Sequence, residues 1–75
     1  MSGEAYAVIV THSTSHAIRA EKVLAGAGIV CKLVPVPRHI SSDCGVCVRI
    51  ARVDTDAAIR ALADARVDFE GVHDI

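Results

Sequence analysis

The run Tyr6-Ala7-Val8-Ile9-Val10-Thr11 is β-rich and apolar at odd and even positions alike. A strand apolar on both faces has to be covered on both sides, so it belongs in the middle of a sheet. That demand is severe for a chain of 75 residues, because a domain near this size removes only about 60% of its unfolded surface from water. One domain, residues 1–75, is therefore expected, organised around this strand. Its interior is aliphatic, since the 52% apolar fraction is mostly Val, Ala, Ile and Leu, with Tyr6 and Phe69 alone representing Tyr, Phe and Trp. So large an apolar share in so small a chain points to a surface covered by a partner or a second copy, and a homodimer is expected.

The remaining pattern supplies the neighbours of that strand. His12-Ser13-Thr14-Ser15 offers hydroxyls to cap a helix carrying Ala17, Ala20, Leu24 and Ala27 on one side, with Arg19 and Lys22 off the stripe. Gly28 can adopt the left-handed conformation that ends such a helix, and Ile29 can fold back on Leu24. Residues 30–35 form a second strand, which Pro35 and Pro37 confine to a sheet edge because they cannot donate ladder hydrogen bonds. A polar loop over residues 38–45 leads into Val46-Cys47-Val48-Arg49-Ile50-Ala51. Its alternation sends Val46, Val48 and Ile50 to one face and Cys47 and Arg49 to the other, and this strand has a helix-covered face and a more open one. Asp54 or Thr55 caps a second helix, with Ile59, Leu62 and Ala63 facing inward and Asp56 four residues before Arg60 for an exposed pair. Residues 68–72 form a last short strand. Strand, helix, strand, strand, helix, strand is the order of two split βαβ units. The expected class is α+β, a ferredoxin-like βαββαβ sandwich in which a four-stranded antiparallel sheet carries two helices on one face, with strands one and three in the middle.

Such a fold hosts many functions, so function has to be read from side chains. Eight basic and nine acidic residues give a net charge of −1, and no cluster of Lys and Arg tracks a phosphate backbone, so no nucleic-acid partner is expected. No apolar run approaches the ~20 residues that cross a bilayer, and Met1-Ser2-Gly3-Glu4 lacks the basic start of a signal peptide. No membrane association is expected, and the expected location is cytoplasmic. Three cysteines, an odd number in a chain read as cytoplasmic, argue against a disulfide framework.

The feature closest to chemistry is the thiol pair Cys44-Gly45-Val46-Cys47, placed where the polar loop enters a strand. A thiol works as thiolate, so it needs access and a nearby source of positive potential or amide donors. Cys44 meets those terms best. It follows Ser41-Ser42-Asp43 and precedes Gly45, which lets the backbone turn tightly and brings amide N–H groups near the sulfur. Arg38 and His39 open the same loop and offer charge or an anion contact, while Asp43 opposes thiolate formation. Ser41 and Ser42, with no base in view, read as hydrogen-bond donors of the loop or as plain turn residues. Cys47 is either a second working thiol or a small buried residue, and Cys31, inside an apolar strand, is a core filler. The CxxC spacing usually serves redox chemistry at a helix N-terminus, but here its second cysteine belongs to a strand, against a thioredoxin-like mechanism. One CxxC also supplies two of the four ligands of a structural zinc site, which His12 or His39 of a dimer would have to complete. His12 and His16, flanking the first helix start, are exposed or capping residues in preference to catalytic bases.

Taken together, Tyr6-Ala7-Val8-Ile9-Val10, His12-Ser13-Thr14, Ala20-Glu21-Lys22-Val23-Leu24 and the segment Val34-Pro35-Val36-Pro37-Arg38-His39-Ile40-Ser41-Ser42-Asp43-Cys44-Gly45 resemble the selenium/sulfur carrier-like family of small bacterial proteins. The resemblance spans nearly the whole chain and is most specific in Pro-x-Pro-Arg-x-Ile-Ser-Ser-x-Cys-Gly. It implies a non-catalytic carrier whose Cys44 accepts a sulfane sulfur or selenium atom as a persulfide-type adduct and passes it to a protein partner. A cysteine desulfurase or a sulfur or selenium acceptor is the implied kind of partner, and no cofactor is required. Cys47 stands outside the matched motif. The alternative is a small dimeric binding or regulatory module in which the thiols are structural or bind a metal.

Overall fold

The computed structural model describes residues 5–40 and 45–75. Their elements are β1 (Tyr6–Val10), α1 (Thr14–Gly26), β2 (Cys31–Pro35), β3 (Val46–Ala51), a 3-10 turn (Arg52–Asp54), α2 (Thr55–Asp64) and β4 (Gly71–Asp74). The strands form one sheet in the order β2-β3-β1-β4, with antiparallel pairing throughout. The doubly apolar run thus lies in the interior of the sheet, as its composition requires, and β2 with Pro35 takes an edge. This is the ferredoxin-like arrangement expected from the sequence. The register sets Val10 against Cys47 and Tyr6 against Ala51, while on the far side of β3 Pro35 opposes Val46 and Cys31 opposes Ile50.

Alternation along the strands sends Ala7, Ile9, Val48 and Ile50 to the face that carries the helices, where they pack with Ala17, Ala20 and Leu24 of α1 and Ala58 and Leu62 of α2. Ser13 caps α1, its hydroxyl oxygen accepting the His16 N–H at 3.2 Å. At the other end Gly28 takes φ +81°, Ile29 N–H donates to the Leu24 carbonyl at 2.9 Å, and Gly28 N–H donates to that of Ala25 at 3.1 Å. These two bonds make the Schellman ending, and Ile29 packs on the core. Ala27 departs from the expected stripe, being the exposed C-cap.

The second helix corrects the sequence expectation in phase. Ala58 and Leu62 are buried, with Ala61 and Ala65 partly buried against the core, whereas Ile59 and Ala63 are exposed. The 3-10 turn before α2 sets this phase, closed by the Thr55 hydroxyl donating to the Arg52 carbonyl at 2.8 Å. Asp54 stands at the N-cap without a side-chain capping bond. A second Schellman ending follows α2, with Val67 N–H to Leu62 carbonyl at 2.9 Å and Arg66 N–H to Ala63 carbonyl at 3.1 Å. It buries Val67 on the core, so the chain reaches the sheet late, and the last strand is Gly71–Asp74 instead of 68–72.

The face without helices, expected to be the more open one, is closed at one end. Val8, Val10 and Cys47 are inaccessible there and form a second buried cluster with Ile40, to which Val34 and Val36 add. At the other end of that face Tyr6, Arg49 and Lys32 keep contact with solvent.

Candidate functional site

Edge strand β2 and central strand β3 converge on residues 36–45, the connection that contains most of the sequence-predicted site. Pairing continues one rung past Pro35 and Val46, with Val36 N–H donating to the Gly45 carbonyl at 3.2 Å. Pro37-Arg38-His39-Ile40 then closes a turn through Ile40 N–H to the Pro37 carbonyl at 3.0 Å. Arg38 and His39 hold the two central positions of that turn and are exposed, while Ile40 points inward and is only 8% accessible. Ile40 is the residue that sequence reasoning missed. Its signal was a lone aliphatic side chain in a polar stretch, and burying such a side chain stabilises by about 1.5–3 kcal/mol. The turn is therefore pinned to the sheet from below by Ile40, and Val36 ahead of it is held to Gly45.

Ser41, Ser42, Asp43 and Cys44, three of them candidate site residues, lie outside the described residues. Gly45 is placed and exposed. Among the described residues positive φ occurs at Gly28 and Arg66, and a Cβ built on Gly45 would meet nothing within 4 Å. The tight turn expected of Gly45 is thus no steric demand at that position, which instead leaves its backbone unshielded.

Cys47 lies between Val10 and Val34 in the two neighbouring strands, with 0% exposure. Its Sγ stands 3.8 Å from the Pro35 carbonyl oxygen, to which the S–H points as a weak donor. Cys31 is half-buried against the first core, with its S–H toward the Glu21 carbonyl at 3.5 Å. Burial, and secondarily the negative charge of Glu21, push its thiol pKa upward. Both directions disfavour a thiolate, in keeping with the core-filling role read from its apolar surroundings.

The antiparallel register fixes what else gathers near Gly45. Val10, the last residue of β1, is opposite Cys47, so β1 delivers His12 and the start of α1 to the same end of the sheet as Gly45. There His12 Nδ1 lies 3.4 Å from Glu70 Oε2, an ion pair when the imidazole is protonated. The His12 and His16 rings meet edge to face with centroids 6.3 Å apart, and His16 Nδ1 is 2.7 Å from the Ser13 hydroxyl. The first turn of α1 carries no acidic residue, so its N-terminal amides retain their positive potential. Among the described residues no group of three or more His, Cys, Asp or Glu is arranged to hold a metal, and no helix is long and apolar enough to cross a membrane.

The family described as Putative Se/S carrier protein-like matches residues 6–74. Comparison with curated proteins and with solved structures gives no match.

Proposed function

Because the chain belongs to the Se/S carrier protein-like family over residues 6–74, we propose that it is a carrier which holds sulfur or selenium as a persulfide-type adduct on Cys44 and hands it to a partner protein. In the transfer the Cys44 thiolate attacks the terminal sulfur of a donor persulfide. A new S–S bond forms on Cys44, the old S–S bond breaks, and the donor leaves as its thiolate, with no change in the overall redox balance. A cysteine desulfurase is a donor of this chemical kind. Arg38 orients the donor from the exposed turn, and Ser41, Ser42 and the amide of Gly45 donate hydrogen bonds to the sulfur anion.

The observation that carries this reading is the family match over residues 6–74, together with a register that brings Gly45, the residue following Cys44, to the same end of the sheet as the start of α1, whose first turn has no acidic residue. A helix N-terminus favours a nearby thiolate. Cys47 is closed to an external donor by its burial, so the first transfer falls to Cys44, with Cys47 supporting the site from inside the second cluster.

Intact-mass measurement after incubation with a desulfurase and cysteine tests the proposal. One added sulfur mass is expected, lost in Cys44→Ala and retained in Cys31→Ala and Cys47→Ala. A gain that persists in Cys44→Ala sinks the assignment.

A further inference from the structure

The end of the sheet remote from Gly45 carries a second, chemically distinct arrangement. Lys32 and Arg49 are direct partners across β2 and β3, and Tyr6 opposes Ala51 on the same face. The Arg49 guanidinium carbon lies over the Tyr6 ring, 4.4 Å from its centre. Two cations directly opposite each other repel, and the ion pairs among the described residues join His12 to Glu70 and Arg52 to Asp74, leaving Lys32 and Arg49 without one. Both line a half-open groove of about 520 Å³ together with Tyr6, Val30, Val53 and Asp54. Among the described residues Val53 and Val30 are the most accessible of the large apolar side chains, at 91% and 84%. Apolar walls with a few convergent polar groups, in a volume of this order, are the make-up of a small-molecule site.

We propose that this groove binds a small organic carboxylate, taken in a fork by the Arg49 guanidinium, further neutralised by Lys32, and resting its apolar body on Val30 and Val53. Two cations against the single carboxylate of Asp54 leave one positive charge, which matches a monoanion with an apolar remainder. An Arg stacked on a ring offers the planar, preorganised fork that carboxylates accept in bidentate fashion. The groove lies about 13 Å along β1 from the Val10 end, at ~3.3 Å per residue, so it stands independently of the carrier reading.

A titration of the full chain with hexanoate, followed by amide chemical shifts, tests it. Saturable shifts are expected at Tyr6, Lys32, Arg49 and Val53, with hexanamide and inorganic phosphate each about tenfold weaker, since each lacks one half of the recognition. Arg49→Gln is expected to weaken hexanoate about tenfold and Lys32→Gln about threefold, with Arg60→Gln unchanged. Equal binding of hexanamide, or of phosphate, would overturn the proposal, as would the absence of a saturable shift or full affinity in a folded Arg49→Gln. Shifts of the same amides on dilution without any acid would overturn it too, by marking the groove as an interface between copies.

Discussion

Gly28 and Arg66 occupy the same position of two helix endings with the same hydrogen bonds, the one at φ +81° and the other at φ +57°. A side chain costs about 1–2 kcal/mol in the left-handed region, and glycine gives part of that back through its freer unfolded chain. Gly28→Ala is therefore expected to lower the urea-unfolding free energy by about 1 kcal/mol, and Arg66→Gly to raise it by about 0.5–1 kcal/mol. Two changes of the same sign would show that the caps are not equivalent. Cys31 makes a second prediction at this scale. Its thiol pKa is raised by burial first and Glu21 second, so the unfolded chain loses that proton at lower pH than the folded one. The contribution is whole below the unfolded value, about 8.5, and is lost as pH rises through the folded value. The stability difference between the native chain and Cys31→Ala should narrow across that alkaline range in paired urea titrations. A difference independent of pH would mean that Cys31 ionises equally in both states.

Among the elements, the connection between β2 and β3 shows most clearly what the sequence made legible. The strands on either side, the edge position forced by Pro35 and the phase of β3 all follow from alternation and proline chemistry, and each matches the structure. Ile40 did not stand out, because a single apolar residue has no period, and its burial depends on a sheet face that only the assembled strands create. The phase of α2 escaped for a related reason. Four alanines in Thr55–Asp64 leave the inward direction undetermined by composition, and the large Ile59 drew the reading one position off the face selected by the 3-10 turn. The last strand is an edge ending in His73 and Asp74, with too little alternation to betray its register. At the site, residue types marked Cys44 and Arg38, whereas the company of His12, His16 and the α1 start near Gly45 is a product of register alone. Ile40→Ala is expected to cost about 2–3 kcal/mol in urea unfolding and, by freeing the turn that carries Arg38, to slow the sulfur gain at Cys44 read by mass. Loss of stability with an unchanged transfer rate would separate the anchor from the carrier function.

At the scale of the whole molecule, the two central strands serve both buried clusters: β3 sends Val48 and Ile50 to one and Cys47 to the other, and β1 is shared in the same way. Ala7 and Ile9 go to the helix side and Val8 and Val10 to the other. The radius of gyration is 11.3 Å, the value of about 11 Å that a close-packed chain of this length takes. This also revises the meaning of the apolar surplus. Part of what pointed to a second copy is satisfied inside the chain, by Ile40 and its neighbours on the face thought to be open. With so little surface to bury per residue, loss of one cluster exposes one side of the central strand and removes the register that the other depends on. Unfolding is therefore expected to be a single cooperative transition. Two probes report from opposite sides: far-UV circular dichroism follows the helices, and the fluorescence of Tyr6, the one tyrosine in a chain without tryptophan, follows the face that carries Arg49. Their urea midpoints should coincide in the native chain and should move together in Ile40→Ala, although that residue touches no helix-side core residue named in the first cluster. A tyrosine transition that runs ahead of the helix signal would mean that the face without helices opens separately from the sandwich beneath it.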